Sequence, residues 1–212
     1  MNATITQIDA RQLENEWAKL IDHIQANNSD FVLLPEMAFS EWFCTSQNVD
    51  DDIWQNAVKS HDEWFERLPE LGANIVMGTA PRNIGDKKYN VAYVWTADVG
   101  IQWIHSKTYV PDEDGFWELT WYDRAPIDFQ PVTIDGIKIG VMICTELWFM
   151  QHAREYGQQG VHLIVNPRST LYQNNDKWLT GGRTAGVIAG VYCLSSNHTG
   201  QADHVKLGGA GW

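Results

Sequence analysis

Ile139-Gly140-Val141-Met142-Ile143-Cys144-Thr145-Glu146-Leu147-Trp148 runs from an apolar block into a turn and then into residues with helical spacing. Asp135-Gly136, between Val132–Ile134 and Ile137–Ile143, is a strong two-residue hairpin turn, so the block reads as a buried strand with a cysteine at its tip. Working outward, two other strand-like runs end on a charged residue. Phe31-Val32-Leu33-Leu34-Pro35-Glu36 delivers a glutamate, and Ile101-Gln102-Trp103-Ile104-His105-Ser106-Lys107 a lysine. Ala3–Ile8, Ala73–Thr79, Tyr89–Thr96, Gly100–His105, Val161–Val165 and Val191–Ser196 read as further strands. Leu13, Trp17, Leu20, Ile21 and Ile24 recur at helical spacing, as do Trp54, Ala57, Trp64, Phe65 and Leu68, while Leu147–Gln158 and Trp178–Gly190 read as later helices. Strands alternating with helices and hairpins predict an α/β layered fold.

At 212 residues and 44% hydrophobic, the chain can bury a core, and one domain over residues 1–212 is expected. With 15 basic and 27 acidic residues, the net charge of −12 argues against nucleic acid and against anionic membrane surfaces as partners. No apolar stretch approaches the roughly 20 residues that span a bilayer, and Met1–Thr6 lacks the basic and apolar regions of a signal peptide. Cys44, Cys144 and Cys193 form no even framework, so a reducing cytoplasm is expected, and the Asn-X-Ser/Thr triplets at Asn2, Asn27 and Asn197 carry no meaning there. Eleven tryptophans point to an aromatic pocket or simply to an aromatic core.

A thiol at the end of a strand, where the chain turns into a helix, is placed to react rather than to pack, and N–H groups opening the helix favour a thiolate. A glutamate, a lysine and a cysteine at three strand ends suggest cysteine-based acyl transfer. Each residue also has a bland reading: Cys44 and Cys193 as core hydrophobes, Glu36 as a helix-starting carboxylate, Lys107 as a surface cation. The chain has no Gly-x-Ser-x-Gly elbow, no phosphate-binding glycine loop and no His-Glu-x-x-His. Its seven histidines offer no zinc-ligand spacing. A Cys–His pair with His105 or His198 is conceivable but unmarked by context.

Leu33-Leu34-Pro35-Glu36, Ser106-Lys107-Thr108-Tyr109-Val110-Pro111 and Val141-Met142-Ile143-Cys144-Thr145-Glu146 resemble, in order and spacing, the three signature blocks of the nitrilase superfamily of carbon–nitrogen hydrolases. Arg154 through Gly160–Pro167, and Arg183-Thr184-Ala185 leading to Ser196–Gly200, fit two further blocks, so the resemblance covers essentially the whole chain. Lys107 to Glu118 is similar to the stretch in N-carbamoylputrescine amidases and β-ureidopropionases, where a second glutamate falls eleven residues after the lysine. Glu118 takes that position; Glu113 is the weaker candidate and reads as a solvated acid. Trp148, four residues past the cysteine, is also similar to carbamoyl-amine amidases.

The resemblance implies a four-layer α-β-β-α sandwich and a homodimer or larger assembly pairing through the helices after Cys144 and around Arg183. It implies hydrolysis of a small amide or N-carbamoyl amine, with a true nitrilase acting on a cyano group as the alternative. Glu36 would be the base, Cys144 the nucleophile, Lys107 and the Thr145 N–H the oxyanion donors, and Glu118 a partner of Lys107. No metal or organic cofactor is required. Trp117, Trp148 and Arg168 are candidates for the substrate wall, Arg168 for a distal carboxylate. The sequence departs from the family pattern at Phe149-Met150-Gln151, where Pro-Glu is usual, and at Arg168. Lys206–Trp212 reads as a loop feeding another strand, so the C-terminal portion of the fold is expected to be lacking, and a catalytically silent binding module is the rival from another class.

Overall fold

The alternating N-terminal stretch divides between two sheets. A computed structural model, describing residues 1–212, places β1 (Ala3–Ile5) in one sheet and β2 (Gln7–Ile8) in the other. α1 (Leu13–Asn27) follows, then β3 (Phe31–Leu33), α2 (Asp51–Phe65) and the long hairpin of β4 (Ile75–Ile84) and β5 (Lys87–Thr96). β6 (Gly100–Ser106) completes the first sheet, in the order β1-β3-β4-β5-β6. After the short α3 (Glu118–Trp121) come the hairpin β7 (Val132–Ile134) and β8 (Ile137–Val141), then α4 (Met150–Gln158), β9 (Leu163–Arg168), α5 (Asn175–Ala189) and β10 (Tyr192–His198). The second sheet runs β2-β10-β9-β8-β7, and β11 (Gly200–Ala202) and β12 (Val205–Leu207) form a small separate hairpin.

Strand alternation sets the layers. Phe31, Leu33, Ile75, Met77, Ala92 and Val94 of the first sheet share one cluster with Ile139, Val141, Leu163 and Val165 of the second, together with Tyr156 and Ala185 from α4 and α5. The intervening Val32, Val76, Tyr93 and Trp95 turn the other way, onto Trp17, Leu20 and Ile24 of α1 and Phe65 of α2. Helices, sheet, sheet and helices thus make the α-β-β-α sandwich that the resemblance implies. No helix is long and apolar enough to cross a membrane.

Strand direction gathers the polar strand ends. β3 and β4 are parallel, and β4, β5 and β6 alternate, so β3 and β6 point the same way and deliver Glu36 and Lys107 at one end of the first sheet. β8 and β9 are parallel, so Cys144 and Ser169 emerge together from the second.

Three local readings are corrected. The expected helix from Leu147 is broken at Phe149, with a 3-10 turn over Cys144–Trp148 before α4. The strand read as Val161–Val165 starts at Leu163 and runs on to Arg168. The C-terminal residues fold back, and Trp212 exchanges both backbone hydrogen bonds with Ser195 (2.7 and 3.1 Å) at the edge of β10.

Gly140, in β8, lies directly under the ring of Tyr156, and a Cβ there would fall 2.6 Å from it. The ring cannot retreat, because the Tyr156 hydroxyl donates to the Val141 carbonyl (2.9 Å) and accepts from the Val141 N–H (3.2 Å). Gly140→Ala should therefore lose about 1–3 kcal/mol of stability, measured by urea unfolding, as other overpacked core sites do.

Candidate active site

Cys144 has φ of +45°, a left-handed conformation that non-glycine residues adopt only under constraint. The constraint is visible on both sides of it. The Asn166 amide donates to the carbonyls of Met142 (2.5 Å) and Cys144 (3.1 Å), and the Met142 N–H is tied to the Val165 carbonyl (3.0 Å). Downstream, the Ile143 N–H donates to Glu146 Oε2 (2.7 Å). The first hydrogen bond of the 3-10 turn runs from the Glu146 N–H to the Ile143 carbonyl (3.0 Å), so the N–H of Thr145 precedes it.

Glu146 reaches further. Its Oε1 accepts from the Thr108 N–H (2.7 Å), one residue past Lys107, and its Oε2 meets His105 Nε2 (2.7 Å). His105 Nδ1 faces the Asp128 carbonyl (2.9 Å), so both ring nitrogens meet acceptors. Burial alone would hold His105 neutral, but the Glu146 charge and these hydrogen bonds raise its pKa above the usual value. One buried carboxylate therefore fixes the lysine strand against the cysteine turn.

Lys107 Nζ lies 2.7 Å from Glu36 Oε1 and 2.5 Å from Glu118 Oε2, with all three side chains closed to solvent. An ammonium has three donors, so one remains for a ligand. Burial works against the charge of Lys107, but Glu118 and Glu36 more than offset it and hold its pKa well above the ordinary value. Glu36 also accepts from the Asn90 amide (2.7 Å) and from the Ser169 N–H (3.1 Å). Glu118 Oε2 takes a second donor, the Tyr122 hydroxyl. Two carboxylates sharing one ammonium leave an excess negative charge in a dry site. Accordingly, burial and the neighbouring Glu36 push Glu118 up to about 7 despite Lys107.

Cys144 Sγ lies 3.6 Å from the Ser169 carbonyl. Contrary to the expected thiolate, burial first and Glu36 second raise the thiol well above its ordinary pKa, with Lys107 opposing, so the resting group is a neutral thiol. The two candidate histidines are engaged elsewhere, His105 with Glu146 and His198 with the Glu36 carbonyl (2.7 Å).

A cavity of about 220 Å³ opens beside the thiol. Cys144, Thr145, Glu118, Ser169, Phe116 and Trp178 are among its walls, with Glu113 and Asp114 also lining it. Glu36 and Lys107 stand in the layer behind, linked to the wall through Ser169 and Glu118. Three expected wall residues lie elsewhere. Trp148 is 43% exposed and packs on Trp178 with ring centroids 4.5 Å apart, so Trp178 takes the inner place. Trp117 packs with the aromatic cluster below and its backbone N–H donates to the Cys44 carbonyl (2.8 Å), leaving Phe116 at the wall. Arg168 is buried, with one donor from each of its three nitrogens on Ser195 Oγ (2.9 Å), Thr170 Oγ1 (2.5 Å) and the Ala210 carbonyl, and it stacks over Trp212. No carboxylate partners this guanidinium, and burial lowers its pKa to about 10.

The whole chain fits this architecture in comparison with known proteins: residues 1–210 match the carbon-nitrogen hydrolase family. The chain belongs to that family. Among curated carbon-nitrogen hydrolase relatives, an N-carbamoylputrescine amidase from Arabidopsis thaliana is 24% identical over 164 residues, 76% of this chain and 54% of the relative. A citrullinase from Francisella tularensis is 25% identical over 182 residues, 80% of this chain and 62% of the relative. The chain thus spans little more than half the length of these curated relatives. A carbon-nitrogen hydrolase from Helicobacter pylori superposes with a TM-score of 0.83 at 17% identity, covering 100% of this chain and 79% of that one. An amidase from Nesterenkonia sp. AN1, solved after Michael addition of acrylamide at its active-site cysteine, gives 0.76 at 13% identity and covers 100% and 82%.

Sequence reasoning passed over Glu146, Asn90, Tyr122, Ser169 and Trp178. Only Glu146 carried a local signal, two residues after the cysteine; the others come together through long-range packing. Glu146→Ala should destabilise the protein by about 3–5 kcal/mol in chemical denaturation, because it leaves the His105 ring and two buried N–H groups without their acceptor. A second expectation concerns pH. Glu118 holds its proton more tightly folded (about 7) than at its ordinary value of 4.5, so its contribution to stability is complete below 4.5 and lost as pH rises through 7. The unfolding midpoint of the wild type should fall across that window relative to Glu118→Gln; parallel profiles would contradict the assignment.

Proposed function

We propose that the chain hydrolyses a small non-peptide carbon–nitrogen bond, in an amide or N-carbamoyl amine, through a thioester on Cys144. The observation that carries this reading is the solvent-free Lys107 ammonium held between Glu36 and Glu118, directly behind the wall that bears the Cys144 thiol. The cavity is smaller than the roughly 300–1,000 Å³ of typical ligand pockets, which supports a small substrate rather than a peptide.

In this mechanism the raised pKa of the thiol calls for a base, and Glu36 takes the Sγ proton as sulfur attacks the carbonyl carbon. The carbonyl π electrons move to oxygen, where the third N–H of Lys107 and the Thr145 N–H stabilise the oxyanion. The oxyanion collapses, the carbon–nitrogen bond breaks, and Glu36 returns the proton to the departing ammonia or amine. Water then attacks the thioester with Glu36 again accepting its proton. Cleavage of the carbon–sulfur bond releases the acid and restores the thiol. Glu118 keeps Lys107 oriented and protonated throughout. Pairing of two copies through the α4–α5 side is part of the proposal, supported by the exposed Val187, Ile188 and Tyr192 along one edge there.

Ammonia release from a panel of aliphatic amides, N-carbamoyl amines and nitriles tests the reading. Cys144→Ala should abolish release, and Lys107→Met should lower kcat by about 10²–10³, the usual effect of deleting an oxyanion donor. Substantial turnover by Cys144→Ala would remove the thioester route.

A further inference from the structure

Ser169 uses its three polar atoms in different ways. Its N–H holds the Glu36 carboxylate (3.1 Å), and its carbonyl receives the Cys144 thiol (3.6 Å). Its hydroxyl is closed to solvent and makes no hydrogen bond within the protein, and the residue lines the cavity beside Cys144. A buried hydroxyl without a partner costs about 1–3 kcal/mol, so its retention needs a reason. Only five buried side-chain polar atoms lack partners, and three of them, on Asn90, Glu118 and Ser169, cluster at this site.

The free acceptors at the site favour a ligand rich in N–H donors. Glu118 Oε1 is unpartnered and lines the cavity through its residue. Glu36 Oε2 has one donor, the Ser169 N–H, and retains a lone pair. Ser169 Oγ is a third acceptor and Asn90 Oδ1, behind the wall with Glu36, a fourth, so the site holds more free acceptors than a primary amide has N–H donors. A primary amide offers two N–H donors at its reacting end, whereas a monosubstituted urea, R–NH–CO–NH₂, offers three. A nitrile offers none. Arg168 is not among the cavity-lining residues and so supplies no competing cation to the wall.

We infer that Ser169 is the specificity-determining residue that selects ureido (N-carbamoyl amine) substrates over plain amides, its hydroxyl accepting the extra N–H. The inference rests on the hydrolase reading above. The substituent N–H of the urea would leave the Ser169 hydroxyl paired only in the substrate complex, so the same group weakens the free protein and sharpens discrimination.

The test compares propylurea with pentanamide, which replaces the substituent NH by CH₂. In Ser169→Ala the ratio of kcat/KM for propylurea to that for pentanamide should fall about tenfold, the upper range for one neutral hydrogen bond. The melting temperature of the unliganded variant should rise, because an unpaired buried hydroxyl has been removed. An unchanged ratio, or an equal loss on both substrates with a lowered melting temperature, would overturn the assignment. Calorimetry separates this from the reaction itself, by comparing Cys144→Ala with Cys144→Ala/Ser169→Ala. If the wild type turns over neither compound but the double variant binds propylurea about tenfold more weakly with pentanamide unaffected, the hydrolase reading fails and the Ser169 assignment stands. Equal propylurea affinities in the two variants would end the assignment whatever the turnover.

Discussion

The rest of the structure depends on a lysine ammonium that has no contact with water. Removing Lys107 from solvent is tolerable only because Glu36 and Glu118 lie within 2.7 Å of it. A buried triad of this kind stabilises a protein no more than apolar residues of the same volume would, so its presence points toward chemistry rather than folding. The excess of one carboxylate explains the raised pKa of Glu118, and the nearby Glu36 helps to keep Cys144 a thiol. In the proposed mechanism, a neutral nucleophile beside a permanent cation and an available base suits attack coupled to proton transfer better than a stored thiolate would.

The triad is useful only if the cysteine stands at a fixed place relative to it, and the two come from different sheets. Glu146 supplies the connection, with one oxygen on the backbone after Lys107 and the other on the backbone before Cys144. Asn166 secures the same turn from β9, and the Ser169 backbone joins Glu36 to the thiol. The left-handed Cys144 is thus over-determined by contacts on both sides, as a strained residue must be if it is to persist.

Much of this was legible in the chain. The Asp135-Gly136 turn, the apolar blocks and the helical spacing of Trp17, Leu20 and Ile24 announced the layers, because period and turn chemistry are local properties. Glu36, Lys107 and Cys144 were legible from their strand ends and from the family blocks, and Glu118 only from the resemblance, eleven residues after the lysine. The rest of the pocket wall, beyond Cys144, Thr145 and Glu118, was not. Phe116 and Trp117 are neighbours, and only the turn at 113–116 decides which one faces the cavity. Trp148 and Trp178 exchange places through the break at Phe149, and Arg168 is diverted by acceptors on Ser195 and Ala210 that lie far away in sequence. The division of Ala3–Ile8 between two sheets was equally hidden, since alternation gives the faces of a strand but not its partners.

The most direct test of the account is the mass of the Cys144 peptide from enzyme quenched in acid during turnover of a slow substrate. A mass increment equal to the acyl or carbamoyl group, confined to Cys144 and absent from Cys44 and Cys193, is the predicted result. Product formation at an undiminished rate with an unmodified Cys144, and with Cys144→Ala equally active, would contradict it.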